Sequence, residues 1–190
     1  MKELQKWKQL RSRLVLDNQW CKVRQDEIQL PTGEIIDDFF VNVRPDIALV
    51  VPVTPQQEIV LVRQYRHGVG EILLELPAGA FNPETEKAEA AAAREMTEET
   101  GYYCQNLIKL ATLYDNPVKD TNTIHIFLGK DAEDSGQQIL DITEQIEVVL
   151  VPINAILDKI TQGEICVSGS VAALFLALDY LKIKTSTPKL

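Results

Sequence analysis

The sequence predicts an α/β protein that carries an antiparallel β-rich region at its N-terminus. Three features lead there. Residues from Leu14 to Val43 alternate short strand-forming runs with turn residues. Two β-branched apolar runs follow, Asp46 to Val53 and Ile59 to Tyr65. The segment from Glu86 to Glu99 is rich in alanine, the strongest helix former. At 190 residues, 45% hydrophobic and 25% charged, the chain has the make-up of one globular domain with a small appendage, which excludes a disordered polymer. The expected division is a β-rich region over residues 1–43 and a main domain over 44–190.

Taken in order, Val15-Leu16, Cys21 to Leu30 and Ile35 to Val43 are the expected strands of the N-terminal region, with Leu30-Pro31-Thr32-Gly33 as a turn. Isolated hairpins are marginal in water, so this region needs a docking surface on its own chain or on a second copy, and a homodimer would supply one. Thr54-Pro55-Gln56-Gln57 turns the chain between the two central strands. Ile72 to Leu76 leads into Pro77-Ala78-Gly79, and an irregular loop runs on to Thr85, the expected N-cap of a helix from Glu86 to about Glu99 that Gly101 ends. Leu107 to Leu113, Thr123 to Leu128 and Ile146 to Val151 supply further strands. Asn154 is expected to cap a helix that stops at Gly163, and Ser170 a last one ending near Leu181.

Several function classes fall away. The three cysteines, Cys21, Cys104 and Cys166, are odd in number and far apart, which excludes a zinc framework and a disulfide scaffold and points to a reduced, cytoplasmic setting. Met1 to Lys8 places charges where a signal peptide has its apolar stretch. The most apolar run, Val171 to Leu178, is far short of the roughly 20 residues a membrane span needs. A net charge of -9 opposes attraction to a phosphate backbone, so neither nucleic acid nor membrane is expected as a partner.

Acidity is concentrated from Gly79 to Tyr102, where six glutamates face Lys87 and Arg94. At about 100° per residue, Glu95, Glu98 and Glu99 share an arc of roughly 100° on the helix. Like charges at this spacing repel, and acids in a last turn oppose the helix dipole, so a compensating cation is called for. A solvated acidic surface is the plain alternative. Clustered carboxylates are also what a hard divalent ion such as magnesium binds, together with waters and substrate phosphates.

Gly79, Glu86 and Arg94-Glu95-Met96-Thr97-Glu98-Glu99-Thr100-Gly101-Tyr102 resemble the Nudix box, G-x5-E-x7-R-E-U-x-E-E-x-G-U with U apolar. Six residues separate Gly79 from Glu86 where the pattern has five, which reads as one extra loop residue. Arg63-Gln64-Tyr65-Arg66, Leu74 to Gly79 and the N-terminal strands resemble the ADP-ribose pyrophosphatase branch of that family. The resemblance implies an α/β/α sandwich around a mixed sheet and a homodimer formed through the N-terminal β region. It implies magnesium, or alternatively manganese, held by Glu95, Glu99, Glu98 and the carbonyl of Ala78, with Glu86 and Arg94 joining loop to helix. The reaction implied is attack of water on the diphosphate of ADP-ribose or a related nucleoside diphosphate sugar, or of another substrate such as a dinucleotide. A catalytically silent nucleotide-sensing module is the rival from another class.

The branch also implies a loop acid that orients or deprotonates the water, for which Glu144 ranks first, Asp141 second and Glu147 third; solvated loop acids are the alternative. Arg66 is the expected phosphate contact. Glu75 is a candidate substrate or outer metal-shell contact, or a structural hydrogen bonder. Phe39 and Phe40 point to opposite faces of one strand, so that Phe39 is a candidate to stack on a base, with core packing as the alternative. His67 and His125 are read as packing or surface residues. Pro117, sixteen residues past Gly101, fits a spacing of ADP-ribose hydrolases, and Tyr114 to Asn122 is expected to line the substrate cleft.

Overall fold

A computed structural model describes residues 3–182. Two compact units result, Met1–Pro45 with Tyr114–Thr123, and Asp46–Leu113 with Ile124–Leu190.

The first unit is a three-stranded antiparallel sheet of β1 (Lys8–Asp17), β2 (Lys22–Gln29) and β3 (Ile35–Asn42), in that order. β1 runs ten residues where only Val15-Leu16 is expected, because Lys8 to Arg13 is almost wholly polar and lacks the two-residue apolar period that marks a strand. Every residue of β1 is exposed. On β2, the buried carboxylate of Asp26 accepts from Ser12 at 2.6 Å and from Arg24 at 3.0 Å. The Tyr114–Thr123 segment is tied to the end of β3 within the unit: Asn42 donates to the Asp120 carboxylate at 2.7 Å, and Arg44 pairs with Asp115 and Asp120.

The second unit is built on a mixed seven-stranded sheet. Its strands are β4 (Asp46–Val53), β5 (Glu58–Arg66), β6 (Glu71–Glu75), β7 (Ala78–Phe81), β9 (Leu107–Tyr114), β10 (Thr123–Lys130) and β12 (Ile146–Pro152). β8 (Tyr102–Tyr103) and β11 (Glu133–Asp134) form a separate pair. The main order is β12-β5-β4-β10-β9, with β10 parallel to β4 and β12 antiparallel to β5. β4 and β5 share the pair Val53 and Ile59 and then diverge. β6 pairs with β5 and β7 with β4, so the two short strands fill the fork. Pro77 lies where β6 passes into β7, and its carbonyl accepts from the Val50 N–H at 3.2 Å.

Helices cover both faces. Strand alternation sends Ala48, Val50 and Phe127 toward α1 (Ala88–Thr100), where they pack with Ala91, Ala92 and Met96. Leu49, Val51, Ile126 and Leu128 point the other way, into a larger core with α2 (Ile156–Thr161) and α3 (Ser168–Tyr180), through Ile156, Ala173, Leu174 and Ala177. This is the α/β/α sandwich around a mixed sheet. No helix among the described residues is long and apolar enough to cross a membrane.

Three helix starts differ from expectation. α1 begins at Ala88, not Glu86, because Asn82 organises a turn in which its carbonyl accepts from the N–H groups of Thr85 and Glu86, and Thr85 makes no cap. Asn154 lies inside a short 3-10 turn, Ile153–Ala155, ahead of α2. Ser170 is the third residue of α3 rather than its cap, and its buried hydroxyl accepts the Leu76 N–H at 3.0 Å, tying α3 to the sheet next to the fork. Ser170→Ala leaves that buried N–H unpaired and should lower unfolding free energy by about 1–3 kcal/mol, measured by urea unfolding.

Candidate active site

The fork brings Ala78 and Gly79 against α1. A Cβ placed on Gly79 would sit 1.8 Å from the Glu95 side-chain carboxyl carbon, so a larger residue here would displace the Glu95 carboxylate from its present position. One residue earlier, the Ala78 N–H donates to Glu99 Oε2 at 3.0 Å. Glu99 is 4% exposed. Burial, with the neighbouring charges of Glu95 and Glu144, pushes its carboxyl up to about 8 against the lowering effect of the Ala78 N–H. Burial likewise raises Glu95, opposed by Arg94.

Arg94 organises the acids. Its Nε and Nη2 donate to both carboxylate oxygens of Glu86 at 3.1 Å, a paired contact across the turn, while Nη1 reaches Glu95 at 2.6 Å and Glu98 at 2.9 Å. The bonds to Glu86 first, then those to Glu95 and Glu98, raise the guanidinium above its ordinary range despite desolvation, and Arg94 in turn holds Glu86 below its own. The clamp is intact despite the extra residue between Gly79 and Glu86.

These groups open on a cleft of about 610 Å³. Ala78, Glu95, Glu98 and Glu99 line it together with Arg66 of β5 and with Asp141 and Glu144 of the loop that precedes β12. That loop is fastened to the end of α1: Gln138 Nε2 donates to the Glu99 carbonyl at 2.6 Å, the Ile139 N–H to the Glu98 carbonyl at 2.9 Å, and Ser135 to the Gly101 carbonyl. Within the loop, Glu144 Oε2 accepts the Asp141 N–H at 2.9 Å.

The remaining candidates lie elsewhere. Glu147 does not line the cleft; it pairs with Arg63 at 2.9 Å across β12 and β5. Glu75 is buried and takes the Arg66 Nε at 2.6 Å, so it acts by holding the arginine. Burial works against the charge of Arg66, but Glu75, Glu99 and Glu144 together raise it. Phe39 belongs to the first unit, packed edge-on against Trp7 at 5.8 Å with Lys119 over its ring, and is not among the cleft-lining residues. His67 contacts the Tyr65 hydroxyl, and His125 meets Asp46 and the Phe81 ring. Pro117 and its neighbours belong to the first unit. Sequence reasoning missed Asn82 and Gln138, whose contacts are to backbone groups and leave no charge or periodicity signal, and gave Gln64 no role of its own.

Among the described residues, no group of three or more His, Cys, Asp or Glu side chains is arranged around one metal position, since Arg94 draws Glu95 and Glu98 to itself. The donor set nonetheless fits a hard divalent ion: it consists of carboxylate and carbonyl oxygens, and a cation among them would offset both the burial that chiefly raises Glu99 and Glu95 and the smaller effect of their neighbouring charges.

Comparison with known proteins follows this geometry. A NUDIX domain model matches residues 43–167, and a nucleoside diphosphate sugar hydrolase N-terminal domain model matches residues 7–42. The methanol dehydrogenase activator of Bacillus methanolicus is 26% identical, covering 93% of each chain. An ADP-ribose pyrophosphatase of Bacillus subtilis is 28% identical over 84% of this chain and 83% of its own, and an ADP-sugar pyrophosphatase of Mus musculus 27% over 90% and 87%. The crystal structure of an ADP compounds hydrolase superposes with a TM-score of 0.84 at 24% identity, covering 96% of this chain and 97% of that one, a likeness of fold.

The raised carboxyl of Glu99 sets a sign for pH dependence. Between 4.5 and about 8 the folded state holds a proton that the unfolded chain has lost, so stability falls as pH rises through that window and levels off above it. In buffer containing a chelator, the melting temperature of the wild-type protein should therefore decline relative to Glu99→Gln across this range. A difference that stays constant with pH would show that Glu99 titrates normally.

Proposed function

The chain belongs to the NUDIX family, and on that premise we propose that it hydrolyses the diphosphate bond of ADP-ribose or a related nucleoside diphosphate sugar to a nucleoside monophosphate and a sugar phosphate. The observation that carries this reading is the convergence of the box glutamates, Arg66 and the loop acids on one cleft. The ADP-ribose and ADP-sugar pyrophosphatases among its relatives support the substrate class.

Glu95, Glu99, Glu98 and the Ala78 carbonyl are the proposed ligands of magnesium, with manganese as the alternative. The ion, when bound, offsets the charge of diphosphate and carboxylates and makes water easier to deprotonate. Arg66, steadied through its Nε by Glu75, donates from its outer edge to a phosphate oxygen. Glu144, its carboxylate directed by the Asp141 N–H, takes the proton from water as the water oxygen bonds to phosphorus and the bridging P–O bond breaks. Asp141 borders the same position and is the second candidate for that proton.

The proposed assembly is a homodimer through the N-terminal region, residues 1–43. β1 is exposed along its whole length, and Leu14, Val15, Leu16, Trp20, Ile35 and Phe40 are exposed on the same unit, a concentration of apolar surface that marks an interaction site. The proposed compartment is the reducing cytoplasm, supported by three free cysteines.

The test of function is a product-mass panel over ADP-ribose, other nucleotide sugars and dinucleotides, with and without magnesium. Turnover of an ADP or other nucleoside diphosphate sugar to monophosphate products is expected, and no turnover of any member would refute the reading. Glu99→Gln should lower that turnover by at least roughly a hundredfold, and Glu144→Gln should slow it while leaving magnesium affinity nearly intact. Light scattering should show a dimer for the full chain and a monomer for the double variant Leu14→Glu, Leu16→Glu; a wild-type monomer would refute the assembly.

A further inference from the structure

Gln64 stands two residues before Arg66 on β5. Ile59 and Leu61 of that strand enter the core shared with α2 and α3, so Gln64, of opposite parity, faces the α1 side together with Arg66. In register it lies between Leu73 of β6 and Ile146 of β12, just beyond the loop that carries Glu144. The residue is 7% exposed and lines the cleft. Its Nε2 is buried and has no hydrogen-bond partner among the described residues.

A buried amide N–H without a partner carries its full desolvation cost, and an apolar residue of similar shape would avoid it. The cleft is otherwise rich in acceptors. Glu95, Glu98, Glu99, Asp141 and Glu144 accept, Arg94 is spent on three glutamates, and Arg66 Nε is committed to Glu75. A diphosphate presents acceptor oxygens alone, so the unpaired amide of a cleft-lining residue has a matching atom on such a ligand once its side chain turns toward it. A lysine buried as deeply and without a partner would give up its proton, whereas an amide stays a donor without carrying charge.

We propose that Gln64 is a substrate-contacting residue whose Nε2–H donates a hydrogen bond to a phosphate oxygen of the bound diphosphate, from beside Arg66 in the cleft. The inference rests on the hydrolase reading above and adds to it a neutral donor that recognises the diphosphate itself, whatever sugar is attached.

Gln64→Met keeps the volume and removes the donor. The variant should melt at or above the wild-type temperature, while kcat/KM on the best substrate of the panel falls by at least about tenfold and the dissociation constant for α,β-methylene ADP rises by a similar factor in the presence of magnesium. Gln64→Leu repeats the test should the methionine variant not fold. Smaller losses of analogue affinity in the folded variants, against unchanged kcat/KM, would overturn the assignment and leave Gln64 a packing residue. A wild-type protein that binds the analogue but turns over no substrate would sink the hydrolase reading and leave the Gln64 contact to be judged on affinity.

Discussion

The close approach of Gly79 to the Glu95 carboxylate, which occupies the space a side chain at position 79 would enter, is the contact around which the acids of the site are arranged. β7 lies against α1 here, and the Ala78 N–H meets the Glu99 carboxylate. Glu99 is buried at this point, and burial is the main cause of its raised carboxyl, against the lowering effect of the Ala78 N–H. The approach itself requires the fork between β4 and β5, since strands paired along their full length would leave no edge for β7 to occupy. A backbone arrangement thus determines an electrostatic one.

The electrostatics are costly by design of the fold. α1 has no basic residue in its last turn, and Glu95, Glu98 and Glu99 gather at the end where the dipole disfavours anions. Arg94 offsets part of this by binding Glu95 and Glu98, but its stronger, paired contact goes to Glu86, where it fixes the loop. Arg94 binds Glu86, Glu95 and Glu98 but not Glu99, and Arg66 is held by Glu75, so the carboxylates of the cleft outnumber its guanidinium groups. A fold under pressure for stability alone would replace those acids, and local rules of this kind are broken mainly where function requires it.

Much of this was legible beforehand, and the reasons differ by element. The central strands β4 and β5 are continuous β-branched runs, and the acidic helix carries fixed spacing from Glu86 to Gly101, so both are readable from side-chain type. β1 was mostly invisible because an exposed strand needs no apolar face. The start of α1 was misplaced because Asn82, not Thr85, directs the turn, and two residues able to accept from the backbone cannot be ranked without knowing where the chain goes next. Ser170 looked like a cap because it precedes an apolar run, yet its partner, Leu76, is 94 residues away. The missed groups are those whose meaning lies in a long-range contact or, for Gln64, in the lack of one.

The bonds that finish α1 also anchor the loop acids. An α-helix leaves its last carbonyls without intrahelical donors. Here those of Glu98 and Glu99 are met by the Ile139 N–H and the Gln138 side chain, and Ser135 binds the carbonyl of Gly101 just beyond. All three donors precede Asp141 and Glu144 on one short stretch of chain. The loop that carries these acids is therefore anchored through the termination of the helix, while several of its own side chains are exposed. Fraying of the last turn would release both walls of the cleft together. The acids on the helix and those on the loop, separate in sequence, consequently behave as parts of one structural unit.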